Sequence, residues 1–243
     1  MAKIPESPEQ IFDKFAQDYQ TVYGKELLSI ILYGSGAKGE YVPKKSDINF
    51  LIALSENGIE QLDKSLHLVA KWRERSVSVP LFLTKNYIAS ALDSFPIEFL
   101  DMKQAYQLVY GEDILKDLDI KKDHVRLQIE RELRGKLTFL RRSFLSTAHN
   151  RDTLYGMLAR SVSTMTAIFE ALLFLKGEPL PQSTAEIFQQ TAKMFELDDS
   201  VFIQLMNIKS GQWRGSRIQL QAIAIQYIGQ IKKLVEIVDK ILL

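Results

Sequence analysis

Two short segments of this 243-residue chain carry groups suited to holding a polyphosphate. Tyr33-Gly34-Ser35-Gly36-Ala37-Lys38-Gly39 sets glycines, a hydroxyl and a lysine directly after an apolar run. Ser46-Asp47-Ile48-Asn49-Phe50-Leu51-Ile52 opens a second apolar run with an acid and an amide two residues apart. Backbone N–H groups in a glycine-serine turn make an anion-binding nest. In an extended segment residues 47 and 49 project to the same face. A carboxylate and an amide oxygen beside a phosphate cradle are the ingredients of metal-assisted phosphoryl chemistry.

Two other phosphate-binding patterns must be weighed against this one. Gly34, Gly36 and Gly39 match G-x-G-x-x-G after an apolar run, the dinucleotide-binding fingerprint. That fold needs a long helix past the third glycine, and Pro43 interrupts any such helix within four residues. The next strand then opens at Asp47, which leaves no room for a crossover helix. The Walker pattern fails as well, because no Gly-Lys-Ser/Thr follows at the required spacing.

The elements that must position these groups follow from hydrophobic period. Residues 8–24 place Ile11, Phe12, Phe15, Tyr19 and Val22 at helical spacing, with Gly24 as a stop. Residues 27–33 and 48–54 read as buried strands. Residues 59–75 return to helical period, with Ile59, Leu62, Leu66 and Val69 on one face. A third strand is expected at 77–83, a short helix at 85–95, and a fourth strand at 96–101, proline being allowed at its first position. The result is a small α/β domain ending near Gly111. Beyond Asp119 only helical period survives: a long helix through Ile129, Leu133, Leu137, Leu140 and Phe144, a second over 154–176, a third capped by Ser183 with Glu186 at capping-box spacing, a short one at 201–208, and a last one from about Arg217. The expected organisation is an α/β (α+β) domain over 1–118 and an antiparallel helical bundle over 119–243.

The Gly34-Ser35…Asp47-x-Asn49 element, eleven residues lying between Ser35 and Asp47, resembles the nucleotidyltransferase superfamily that includes DNA polymerase beta and the antibiotic nucleotidyltransferases. Leu81-Phe82-Leu83-Thr84 and Phe95-Pro96-Ile97-Glu98-Phe99-Leu100-Asp101 are similar to later segments of bacterial members, so the resemblance spans roughly 27–111. It implies a mixed sheet, a nucleoside triphosphate as donor, and two Mg²⁺ (or Mn²⁺) ions about 4 Å apart on three carboxylates. On this reading Gly34, Ser35, Lys38 and Asn49 hold the nucleotide, and Asp47, Asn49 and Glu98 hold metal. Asp47 and Glu98 are the catalytic pair, and Asp101 is the alternative to Glu98, since one bulge would exchange their faces. The reaction implied is transfer of a nucleoside monophosphate to a hydroxyl of a small molecule or protein, with the acceptor in the cleft between the two domains. This chain departs from the family at Asn49, where a second carboxylate is expected. Losing that charge removes several kcal/mol of stabilisation, and each 1.36 kcal/mol is about tenfold in rate. A non-catalytic nucleotide-binding or regulatory, antitoxin-like protein of the same fold is therefore the second reading.

Composition bounds the rest. The formal net charge is +1 and there is no cysteine, which argues against a nucleic-acid partner and excludes disulfides and thiolate sites. No run of about 18 apolar residues appears and the N-terminus has no apolar signal core, so a cytoplasmic protein without a membrane partner is expected. Residues 121–142 hold eight basic residues against three acidic ones. Arg134 and Arg141, a helical seven apart, are the pair that would face a triphosphate, although a solvated face with ordinary ion pairs explains most of them. Arg142 and His149 fit a loose R-x(4–6)-H pattern of HEPN-type ribonucleases, weakly. His67 and His124 have no partner at ligand spacing. Trp213–Arg217 reads as an interhelical turn, and Tyr33 and Tyr41 as packing residues able to stack on a base. Ile218, Ile223 and Leu234 on the last helix are candidates for a homodimer contact.

Overall fold

The structure, a computed structural model, describes residues 3–181 and 183–241. The chain divides into two compact units, Met1–Ile120 and Lys121–Leu243.

The first unit is built on a four-stranded mixed sheet: β1 (Leu27–Tyr33), β2 (Asn49–Leu54), β3 (Leu81–Leu83) and β4 (Tyr106–Gly111), in the order β3-β2-β1-β4. β1 pairs antiparallel with β2 and β4, and β2 pairs parallel with β3. Strand alternation sends Ile30, Leu32, Ile48, Phe50 and Ile52 to one face, where they meet Phe15 and Tyr19 of α1 (Phe12–Tyr23) and Trp72. Phe15 stacks on Phe50 with ring centroids 4.1 Å apart and meets Trp72 edge-on at 5.2 Å. The opposite face carries Ile31 and Leu51 against Ile88, Phe99 and Met102. This second face also carries Tyr33 and is the one on which the phosphate-type residues lie.

Three expectations are corrected here. The periodic stretch 59–75 is broken into α2 (Glu56–Ile59), a 3₁₀ turn at Leu62–Ser65 and α3 (Leu66–Arg73). The 3₁₀ turn shifts the register, so Leu68 and Trp72 point inward while Leu66 is 70% exposed. The third strand is only Leu81–Leu83, preceded by a single parallel bridge between Ile48 and Val77. Pro80 has no N–H to continue the ladder. Residues 96–101 are not a strand. After α4 (Lys85–Ala91) they form α5 (Pro96–Gln104), with Pro96 at the start, where a missing N–H costs nothing. The fourth strand is Tyr106–Gly111, and it ends at a glycine with φ 79° where a Cβ would lie 2.1 Å from the Leu28 carbonyl oxygen.

The second unit is all helical: α6 (Lys122–Ser146), α7 (Arg151–Lys176), α8 (Thr184–Met194), α9 (Asp199–Lys209) and α10 (Arg217–Asp239). Four residues join α6 to α7, and the pair packs as an αα-hairpin. Asn150 caps α7, and Gly177 ends it in the left-handed conformation. Ser183 and Glu186 form the expected capping box at α8, and Ser216 and Gln219 form another at α10. Phe169, Phe188, Phe202 and Tyr227 make an aromatic core, with centroids 4.5 to 6.2 Å apart. One window of α7 is long and apolar enough to cross a bilayer by composition, but 61% of it is buried within the protein, as befits a core helix. Ile223 and Leu234 are buried in this core, leaving Ile218 as the exposed member of the trio considered for a dimer contact.

Candidate nucleotide site

β1 ends at Tyr33, and Gly34–Gly36 form a single 3₁₀ turn immediately after it. Gly34 has φ 71°, a conformation that costs a side chain but not glycine. Its carbonyl accepts from the N–H groups of Ala37 and Lys38, both at 3.0 Å, and Ser35 O accepts from Glu40 N at 2.9 Å. A 3₁₀ turn closes through the N–H of its third residue, so the N–H of Ser35 has no partner inside the turn. Ser35 is half-exposed, so the turn offers its hydroxyl and its backbone N–H. Gly36 is packed inward, and a Cβ there would sit 3.3 Å from both Leu32 and Pro8.

The residue facing this turn is Asn49. It opens β2 and pairs across the ladder with Tyr33. A Cβ on Gly34 would lie 3.1 Å from Asn49 Nδ2, so the glycine and the amide are in direct apposition. The Asn49 Oδ1 accepts from Ser78 Oγ at 2.7 Å. Ser78 had no signal in the sequence. It reaches Asn49 because its N–H donates to Ile48 O, which lays the segment before β3 alongside β2. Asp47 precedes the strand and is exposed. The 42–46 turn that delivers it is closed by Ser46, whose N–H donates to Val42 O and whose hydroxyl accepts from Val42 N.

Both candidate carboxylates, Glu98 and Asp101, lie on α5. Asp101 reaches the turn segment: Lys38 Nζ donates to Asp101 Oδ1 at 2.7 Å. Burial first, and then the charge of Asp101, push the Tyr33 phenol above its ordinary range. Glu98 lies on the same helix, exposed, three residues earlier and so near the same flank, but not on a strand. Among the described residues no group of three or more His, Cys, Asp and Glu is arranged to hold a metal ion.

The other candidates fall into structural roles. Tyr33 and Tyr41 are both half-buried against core residues, and Tyr41 donates to Pro5 O at 3.1 Å. Arg134 is engaged within its own unit, with Glu130 at 2.8 Å and Asp239 at 3.0 Å. His149 Nδ1 accepts from Gln221 Nε2 at 2.8 Å in the α6–α7 turn. Arg151 clamps the 213–217 segment through the carbonyls of Arg214 and Gly215, so that segment is an interhelical turn.

No family model and no curated protein matches the chain. A solved structure does: spectinomycin adenyltransferase AAD(9) from Enterococcus faecialis, crystallised with ATP and spectinomycin. It aligns over 93% of this chain and 99% of its own, with a TM-score of 0.53 and 13% identity. The chain has the fold of a nucleotidyltransferase. The likeness at this identity is one of fold. Within a nucleotidyltransferase fold the strand–turn–strand of β1, Gly34–Gly36 and β2 is the element that the sequence motif marked.

Proposed function

We propose that the first unit binds a nucleoside triphosphate at the Gly34–Ser35 turn, and that the protein transfers the nucleoside monophosphate to a hydroxyl of a small molecule or protein. The observation that carries this reading is the apposition of the Gly34–Gly36 turn and Asn49, with Asp47 two residues away, in a fold shared with an adenyltransferase crystallised with ATP. Ser35 Oγ and the Ser35 N–H would take phosphate oxygens. Lys38, already poised on Asp101, adds a cation at the end of the turn.

The donors present fit one divalent ion better than two. Asp47, exposed two residues before Asn49, would supply a carboxylate. Asn49 supplies an amide oxygen whose second lone pair remains after the Ser78 bond. Asp101 is neutralised in place by Lys38. A single Mg²⁺ or Mn²⁺ held by Asp47, Asn49 and the phosphates would offset triphosphate charge and polarise the α-phosphate. The chain's own residues then position the phosphates and hold the turn rigid through the Ser78–Asn49–Gly34 stack.

A second reading, a non-catalytic nucleotide-binding or regulatory protein, is favoured by the same amide. Asn49 is held by Ser78 and contributes no charge. Calorimetry with each triphosphate, in Mg²⁺ and then Mn²⁺, separates the two readings. Metal-dependent binding lost in Asp47→Ala supports a working nucleotide site. Asn49→Asp should then raise metal affinity and any transfer activity if the first reading is right. Absence of triphosphate binding in both the native chain and Asn49→Asp would refute the nucleotide site.

A further inference from the structure

The bond between Ser78 and Asn49 decides which way an amide faces. Asn49 carries an acceptor, Oδ1, and a donor, Nδ2, on one planar group, whereas Ser78 has a single hydroxyl proton to give. That hydroxyl lies 2.7 Å from Asn49 Oδ1 and 3.3 Å from Ile48 O. Ile48 O already accepts from Ser78 N at 3.0 Å, so the proton goes to the shorter contact, on Oδ1. The backbone fixes the donor in turn. Val77 bridges Ile48 in parallel, which lays Ser78 beside the first residue of β2.

With Oδ1 turned to Ser78, Nδ2 is turned to the Gly34 turn, 3.1 Å from where a Cβ on that glycine would lie. Asn49 is half-buried, and Nδ2 has no acceptor among the described residues. The protein therefore locks the oxygen of this amide and leaves its nitrogen free. A carboxylate at the same position has two acceptor oxygens and no donor. Beside a phosphate it would repel, and would need a cation between the two anions. An amide held with its nitrogen outward meets a phosphate oxygen directly, and a hydrogen bond to a charged acceptor is stronger than one to a neutral acceptor.

We infer that Ser78 is a positioning residue for the triphosphate: it holds Asn49 so that Nδ2 donates to a phosphate oxygen, while Oδ1 keeps a lone pair for a divalent ion. This role rests on the nucleotide reading above and extends it to the form of the ligand. The site takes the free triphosphate anion as well as its metal complex, because Asn49, Ser35 and Lys38 engage the phosphates as donors of the chain itself.

Calorimetry on the full chain tests it with ATP, first in Mg²⁺ and then in EDTA. The native chain should bind in both, the EDTA affinity being weaker by about tenfold or less. Ser78→Ala should lower the EDTA affinity by about fivefold, the worth of one hydrogen bond. It should lower the Mg²⁺ affinity less, because an ion on Oδ1 orients the amide in place of Ser78. Ser78→Thr keeps the hydroxyl and should restore the native pair of values. Asn49→Asp should reverse the order: its EDTA binding should fall by more than about tenfold, a donor being exchanged for a like charge, while its Mg²⁺ binding tightens. Binding in Mg²⁺ that vanishes in EDTA would overturn the role of Ser78 and leave the nucleotide reading standing. Absence of binding in both media would overturn the two together. Equal losses in both media for Ser78→Ala would reduce Ser78 to a packing residue, and Asn49→Asp binding as well as the native chain in EDTA would remove the amide donor; either result overturns the assignment.

Discussion

Replacing Gly34 by alanine probes the junction on which the candidate nucleotide site depends. Two costs follow from the geometry. Gly34 sits at φ 71°, and an L-residue held there costs about 1–2 kcal/mol. The new methyl would lie 3.1 Å from Asn49 Nδ2, closer than a relaxed contact, so the amide must give way. Moving it loosens the 2.7 Å hydrogen bond from Ser78, worth about 1 kcal/mol. Gly34→Ala should therefore destabilise the first unit by about 2–3 kcal/mol. Trp72 is buried in that unit and Trp213 lies in the other, so urea unfolding followed by fluorescence in a Trp213→Phe background reports the first unit alone. The second cost disappears if the amide is removed first. In an Asn49→Ala background Gly34→Ala should cost only about 1–2 kcal/mol, a coupling of roughly 1 kcal/mol in a double-mutant cycle. A cost below about 0.5 kcal/mol, within the range of ordinary surface changes, would refute the strain argument. Strict additivity would show that the turn and Asn49 do not touch in solution.

Three further outcomes are expected. Gly111→Ala should be far worse than Gly34→Ala, because its Cβ would fall 2.1 Å from a backbone oxygen that cannot move aside, and soluble yield with native circular dichroism checks it. Asp18 is held below the ordinary carboxylate range, burial opposing the shift but the Lys71 and Lys14 contacts overcoming it. The stability it adds is thus present above an unfolded value near ~3.9 and is lost as pH falls through the lowered folded value. Asp18→Asn should flatten that acid limb of a urea-midpoint profile while changing its slope little above neutral pH. Ser183→Ala breaks the capping box at α8 and should cost the second unit about 1 kcal/mol, read by the fluorescence of Trp213.

The parts of this protein that its sequence determined are those specified by local physics. A run of apolar residues ending in Gly34-Ser35-Gly36 can only be a strand followed by a tight turn, and that turn is present as read. The boundary cues of the helical half, Asn150, Gly177, Ser183 with Glu186 and Ser216, act within four residues of themselves and could be read directly. Residues 96–104 show the limit. Ile97, Phe99, Leu100 and Met102 are all buried, so their apolar pattern satisfies neither period 2 nor period 3.6, and only packing against Ile31 and Leu51 decided for a helix. That decision moved the fourth strand to Tyr106–Gly111 and took Glu98 off the sheet. It brought Asp101 into a bond with Lys38, sixty-three residues away in sequence. The Ser78–Asn49 bond belongs to the same class. Each is set by which strand or helix lies beside which, and a linear pattern carries no term for contacts between distant segments.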